Sequence, residues 1–289
     1  MKLSLCIENA ARQLDEAEVY FGHGADNAWD EAAWLILHSL GIGVDEEADL
    51  NLEITPAQQN AINALLRQRI DTRKPAAYLT GMAWFAGMPF HTAEGVIVPR
   101  SHIGGFLLDN GRPWIKAGSI KRVLDLCTGS GCIAVAAAMA FPEARVDATD
   151  IDPVALELAE KNIGEYNFQD RIQLIDSDIY QNLASTYDLI LTNPPYVPAE
   201  EIAHFPAEYQ HEPAKAFDGG PDGLDLVHRI LKGAHRFLAA EGHIVVEVGE
   251  SWTTLEQAYP KIPFNWLETG VEDSGLFIMD RTELLEYFG

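Results

Sequence analysis

Two hydrophobic rhythms divide the chain. Up to about residue 78, apolar residues recur at the three- and four-residue spacing of helices with one buried face. "ENAARQLDEAEVYF" and "NAWDEAAWLILHSL" both follow it, and Asp26 and Asn27 offer an N-cap to the second. "TPAQQNAINALLRQRIDTRKP" opens with a Thr cap and a proline at the first helical position, and it must stop before Pro75. The next stretch, "AAYLTGMAWFAGMPFHTAEGVIVPR", turns aromatic and β-branched and is broken by Gly81, Gly87 and Gly95. It predicts a β-hairpin that links two domains.

From about residue 100, short apolar runs alternate with amphipathic ones. The predicted strands are "KRVLDL", "RVDATD", "RIQLID", "YDLILT", "GHIVVEVG", "FNWLE" and "GLFIMD", with helices such as "DPVALELAEKNIGEY" and "DLVHRILKGAHRFLA" between them. That alternation predicts an α/β fold: a doubly wound, mostly parallel seven-stranded sheet with ligands at the carboxyl ends of its strands. Three regions follow: a helical domain over 1–78, a hairpin over 79–99 and an α/β domain over 100–289.

Composition narrows the picture only at the edges. A chain of 289 residues that is 47% hydrophobic and 22% charged has ample material for cores. No apolar run reaches membrane-spanning length, and "MKLSLCIENAARQLDE" lacks the apolar centre of a secretion signal, so a cytoplasmic protein is expected. Of the three cysteines, Cys127 and Cys132 sit in a glycine-rich turn without His or Cys at zinc spacing. Cys6 is alone, and reduced thiols with no metal site are expected. The formal net charge of −24 disfavours DNA, RNA or an anionic membrane as principal partner and favours cationic ligands and basic proteins. Many soluble proteins are simply acidic, so charge alone decides little.

The chemistry gathers at strand ends. The first strand closes in "VLDLCTGSGCIAVAAA", where Gly129-Ser130-Gly131-Cys132-Ile133-Ala134 fits G-x-G-x-x-G/A, a turn that brings backbone close to a ligand. Taken alone, it also fits a nicotinamide dinucleotide. Asp150, ending "RVDATD", suits ribose hydroxyls in either cofactor class. Asp125 precedes the glycines, where a carboxylate can receive a cationic amino group or a water held by it. Asp178 follows "RIQLID", where it can accept from an adenine amino group. Three carboxylates around one turn suit a cationic ligand and would repel a pyrophosphate.

The fourth strand ends in Asn193-Pro194-Pro195-Tyr196. An amide or nucleobase nitrogen is a poor nucleophile because its lone pair is delocalised. The Asn193 side-chain oxygen and the Pro194 carbonyl can each accept one of its N–H groups, and Tyr196 can stack on the flat group. The two prolines leave the carbonyl little freedom to lose. This is a device for orienting a planar nitrogen towards an incoming methyl, with no strong base required.

In this order and spacing, "DLCTGSG", "TDID", "SDIY" and "NPPYV" resemble an S-adenosylmethionine-dependent N-methyltransferase of the class I, Rossmann-like fold. The helical N-terminal region, the hairpin ending in Val98-Pro99-Arg100, and "YQHEPAKAFDGGPDGLDLVHRIL" resemble the protein-glutamine N5-methyltransferase family. The resemblance implies cofactor contacts at Asp125, Thr128, Gly129, Ser130, Gly131, Asp150, Ile151, Asp178, Ile179 and Asn193. It implies acceptor contacts at Asn193, Pro194, Pro195 and Tyr196, with Asn193, Pro194 and Tyr196 as the catalytic set. Glu212, in "HEP", either shapes the wall of the acceptor pocket or serves an ordinary loop.

Within the family, "YFGHGADNAWDEAAWLIL" and "FNWLETGVEDSGLFIMDRTEL" resemble the branch whose acceptor is the third protein of the large ribosomal subunit. "PRSHIGGF" stands where the release-factor branch usually has "PRPxTE". The expected partner is thus a basic ribosomal protein, free or in an early assembly particle.

Competing readings are a DNA adenine methyltransferase, which would want a basic patch, and a non-catalytic S-adenosylmethionine-binding assembly factor, which would need neither Asn193 nor Tyr196. A nicotinamide oxidoreductase would want a hydride-transfer acid or base near the turn. The scattered histidines, His23 among them, read as structural or surface residues, and Trp29, Trp34 and Trp84 as packing.

Overall fold

Polar caps and apolar faces set the first helices: α1 (Leu3–Glu16), α2 (Ala28–Leu40), α3 (Pro56–Thr72) and the short α4 (Ala76–Thr80). Asn27 Oδ1 accepts from Asp30 N at 2.9 Å to start α2. Thr55 and Gln58 close a capping box at the start of α3, with Pro56 at its first position. Leu3, Leu14, Leu35, Ile36, Ile62 and Leu66 meet in one apolar core.

The hairpin is shorter than the aromatic run suggested. It is β1 (Met82–Phe85) against β2 (Met88–His91), because Ala76–Thr80 goes on as helix after Pro75. Its one buried face bridges two cores along its length: Ala83 joins the helical core, whereas Phe85, on the same face, and Phe90, paired with Ala83, join that of the sheet. Val98, just beyond the hairpin, also packs in the helical core.

The remaining elements are α5 (Ile103–Leu108), β3 (Arg122–Leu126), α6 (Cys132–Ala140), β4 (Arg145–Asp150), α7 (Pro153–Glu165), β5 (Ile172–Asp176) and β6 (Tyr187–Thr192). They continue with α8 (Ala199–Ile202), α9 (Asp225–Ala234), β7 (Leu238–Glu247), α10 (Trp252–Ala258), β8 (Asn265–Trp266), β9 (Leu276–Asp280) and α11 (Arg281–Phe288). This computed structural model describes residues 1–43, 47–116, 118–271 and 274–289; Glu272 and Asp273 of the C-terminal resemblance lie outside them.

Among the described residues the sheet has seven strands in the order β5-β4-β3-β6-β7-β9-β8, and only β9 runs against the rest. The alternating pattern explains its two-sided cover. Val123, Val146, Leu189, Val245 and Ile278 enter one core, and Leu124, Ile190, Ile244, Val246 and Phe277 enter the other. The chain winds outward from β3 through β4 to β5, then crosses back to β6 on the opposite side of β3. The order reverses between β3 and β6, where a crevice opens at the carboxyl ends. Leu126 and Thr192 sit at the same level there.

Two expectations of extent are corrected. The helix expected to reach Ala239 stops at Ala234, and β7 already begins at Leu238, paired with Tyr187. Trp29, read as packing, is 47% exposed, whereas Trp34 and Trp84 meet edge to face at 5.6 Å.

Candidate active site

The two turns that follow β3 and β6 are built to approach one another. After Leu126 the backbone goes left-handed at Cys127 (φ 58°), Gly129 (55°) and Gly131 (79°). Gly131 has a packing reason as well: a Cβ there would lie 3.0 Å from Ala159 Cβ on α7. Thr128 N donates to the Thr149 carbonyl at 2.9 Å, and Asn162 Nδ2 donates to the Ser130 carbonyl at 2.9 Å. The fully buried Asn162 also bonds both polar backbone atoms of His91, so one amide pins the glycine turn to the hairpin. Thr192 Oγ1 donates to the Leu126 carbonyl at 3.1 Å and ties the second turn to the first.

A cleft of about 1080 Å³ lies over these turns. Thr128, Gly129, Ser130, Asp150, Ile151, Asp178, Ile179, Asn193, Pro194, Pro195 and Tyr196 all line it. Asp150 accepts from Gly129 N and Asp152 N, each at 2.9 Å. Burial pushes its carboxyl up, and the backbone N–H groups pull it back down. Asp178 accepts from Arg229 Nη2 at 2.7 Å, so its charge is already shared with a guanidinium. Ile179 adopts φ 52°, a conformation that costs a β-branched residue about 1–3 kcal/mol. Ser177 holds it there: Ser177 Oγ donates to the Ile179 carbonyl at 3.0 Å and accepts from Asn182 N at 3.1 Å.

Two expected site residues stand elsewhere. Asp125 is fully buried under the glycine turn and does not line the cleft, because its strand points that side chain into the sheet's interior. Its Oδ2 accepts from Thr128 Oγ1 at 2.5 Å, and among the described residues Oδ1 has no hydrogen-bond partner. Burial pushes this carboxyl up to about 7, against the pull of the Thr128 hydroxyl. It supports the turn through Thr128 and stays out of the cleft lining.

Glu212 likewise stands behind the acceptor wall. Its carboxylate accepts from Val98 N (2.7 Å), from Arg100 Nη1 (2.9 Å) and Nη2 (2.6 Å), and pairs with His23 Nε2 at 3.1 Å. Burial alone would raise this carboxyl; Arg100 and His23 hold it down at about 2. A second buried cluster lies nearby. Arg69, fully buried, bonds Glu31 at 2.8 Å, Glu208 at 3.3 Å and the Tyr20 carbonyl at 3.0 Å. Glu208 and Glu212 thereby clamp the segment after α8 to the helical region and to the hairpin exit.

The acceptor side is ordered by residues with weaker sequence signals. Asn193 Nδ2 donates to the Arg100 carbonyl at 3.1 Å, which fixes the amide with Oδ1 free of any protein partner among the described residues. The Arg100 guanidinium sits 5.4 Å over the Tyr209 ring and 5.6 Å over that of Phe217. Tyr196 is seated by backbone: a Cβ on Gly249 would lie 2.6 Å from its ring, and Ser251 Oγ donates to its carbonyl at 2.7 Å. Burial pushes its phenol well above its usual range, and the nearby carboxylate of Glu247 adds to that push. Glu247 was detectable in principle as a lone acid closing the apolar run "HIVVEVG".

The site fits a ligand that is cationic and carries sugar hydroxyls. Asp150 retains acceptor capacity at the cleft. A Cβ added at Gly129 would find its nearest neighbour, Ile97, only at 3.7 Å, leaving backbone open to close approach. A doubly wound sheet with this turn, these carboxylates and an Asn-Pro-Pro-Tyr turn at its switch point is that of a class I S-adenosylmethionine-dependent methyltransferase.

Comparison with known proteins agrees. The family described as the methyltransferase small domain matches residues 113–208. Two relatives carry the name ribosomal protein uL3 glutamine methyltransferase. The one from Neisseria gonorrhoeae is 45% identical over 96% of this chain and 93% of its own, and the one from Bordetella pertussis is 43% identical over 96% and 94%. A solved methyltransferase structure from Pyrococcus furiosus covers 77% of this chain and 98% of its own at 17% identity, with a TM-score of 0.48. The chain belongs to the ribosomal protein uL3 glutamine methyltransferase family.

Proposed function

We propose that the chain methylates the side-chain amide nitrogen of a glutamine in the third protein of the large ribosomal subunit. The observation that carries this reading is the orientation of Asn193: its NH2 is committed to the Arg100 carbonyl, so its oxygen is the atom offered to the cleft. An oxygen in that place accepts an N–H from a planar amide. The Pro194 carbonyl accepts the second N–H, and the Tyr196 ring packs on the flat face. Held in this way, the nitrogen has no freedom to turn its N–H groups towards the donor.

S-adenosylmethionine supplies a methyl group activated by its sulfonium charge. Asp150 holds the ribose hydroxyls, and the glycine turn from Thr128 to Gly131 lets backbone approach closely. Ile151, Asp178 and Ile179 flank the base. Once alkylated, the amide nitrogen becomes strongly acidic and sheds its proton without a strong base.

The net charge of −24 supports a basic protein as acceptor, met through a steered, salt-sensitive encounter. It argues against DNA, whose phosphates so acidic a chain would repel. Among the described residues no helix is long and apolar enough to cross a membrane, and we place the enzyme in the cytoplasm, acting on the free protein or an early assembly particle.

The test is Asn193→Ala. It should leave S-adenosylhomocysteine binding within about threefold and reduce single-turnover methylation by roughly a thousandfold, because only acceptor orientation is lost. Near-normal single-turnover rates in the variant would sink this reading of the turn.

A further inference from the structure

Glu247 closes β7 one residue past Val246, which is level with Thr192, so its carboxylate arrives beside the Asn-Pro-Pro-Tyr turn. It is 3% exposed yet reaches the cleft. Two donors converge on one of its oxygens. Oε2 accepts from Ser101 Oγ at 2.5 Å and from His102 N at 2.9 Å, and the Tyr196 hydroxyl lies beside the carboxylate. Ser101 Oγ in turn accepts from Ile103 N at 3.1 Å, at the start of α5. Among the described residues no cation pairs with this carboxylate, so its buried charge rests on hydrogen bonds.

These contacts converge on two acceptor-holding groups. Through Ser101 and His102, Glu247 fixes the backbone directly after Arg100, whose carbonyl orients Asn193. The same carboxylate stands beside the phenol of Tyr196, whose ring is already against Gly249. A single side chain thus adjoins both halves of the acceptor cradle without touching the cofactor turn after β3.

We propose that Glu247 is a positioning residue for the acceptor amide, setting the Arg100 carbonyl and the Tyr196 ring at the same time. The inference rests on the reading of Asn193 and Tyr196 given above. Glutamine has the same shape but carries no negative charge and one acceptor oxygen fewer, so the charge-assisted bonds from Ser101 Oγ and His102 N become weaker neutral ones.

The test uses the full chain with Glu247→Gln, Ser101→Ala and Tyr196→Phe. Single-turnover methylation at saturating acceptor should fall about a hundredfold in Glu247→Gln and about tenfold in each of the others. S-adenosylhomocysteine affinity should stay within about twofold in all three. Amide exchange of residues 101–103 should quicken in Glu247→Gln. A rate within about threefold of wild type in a folded Glu247→Gln would overturn the proposal, as would a loss carried wholly by cofactor affinity. Should Glu247→Gln fail to fold, unchanged rates in Ser101→Ala and Tyr196→Phe would overturn it instead. Failure of the wild type to methylate any glutamine would sink the functional reading. Unchanged exchange at 101–103 would sink this proposal independently of acceptor chemistry.

Discussion

Replacing Glu212 by alanine should be among the most destabilising single changes in the chain. The side chain is fully removed from solvent, and four donors converge on it: Val98 N, two guanidinium nitrogens of Arg100, and His23 Nε2. Alanine would leave the Arg100 guanidinium and the Val98 N–H beside a cavity with no anion. The depression of its carboxyl from 4.5 to about 2 corresponds to about 3 kcal/mol of stabilisation at neutral pH. Breaking a buried pair by removing one partner costs about 3–5 kcal/mol, in agreement. The sign is that of a depressed acid: the contribution is present above about pH 4.5 and is lost as pH falls towards 2.

For a chain of this size each kcal/mol moves the midpoint by roughly 2–3 °C, so thermal unfolding at pH 7 should shift down by about 6–15 °C. Glu212→Leu combined with Arg100→Met removes both charges and should recover a large part of the loss. Circular dichroism melts of the three proteins decide the matter. A shift below about 2 °C for Glu212→Ala, or a double variant no better than the single one, would refute the account of Glu212 as a buried electrostatic anchor.

Asp150→Ala removes the expected ribose acceptor and one cap of the glycine turn, so S-adenosylhomocysteine affinity should fall about ten- to a hundredfold, equivalent to about 1.5–3 kcal/mol. Unchanged affinity by calorimetry in a folded variant would place the cofactor elsewhere. Asp125 and Glu247 have carboxyls raised by burial to about 7, so both favour the folded state at low pH, and that contribution is lost as pH rises through 7. Asp125→Asn cannot ionise, so denaturant midpoints at pH 5 and pH 8 should differ less in the variant than in the wild type; parallel midpoints would show that Asp125 does not titrate in this range.

What the sequence disclosed about this fold followed from short-range pattern. Each apolar run such as "YDLILT" became a strand because alternate residues face two cores, and Asn27 and Thr55 capped helices through bonds to residues three positions on. Helix α6, "CIAVAAAMA", carries no polar face, so its periodicity is invisible although glycine turn chemistry precedes it. The turn residues from Thr128 to Gly131 and from Asn193 to Tyr196 were legible because strand ends carry their own punctuation. Their supports were not. Glu212 meets Arg100 across 112 residues and His23 across 189, and no local pattern encodes such pairs. Asp125 looked like a ligand contact because strand-end acids often are; only the direction of its side chain reveals that it lies beneath the turn.

The central claim, that the Asn-Pro-Pro-Tyr turn presents a ribosomal-protein glutamine for methylation, is tested most directly by mapping a transferred label. Purified uL3, mature large subunits and a release factor would each be offered at equal concentration and low salt with tritiated S-adenosylmethionine, and the labelled peptides sequenced. The account predicts label on one glutamine side chain of free uL3, weaker labelling of mature subunits, and a rate on uL3 that falls steeply as ionic strength rises. Faster labelling of the release factor's glutamine, or label on any side chain other than glutamine, would contradict it.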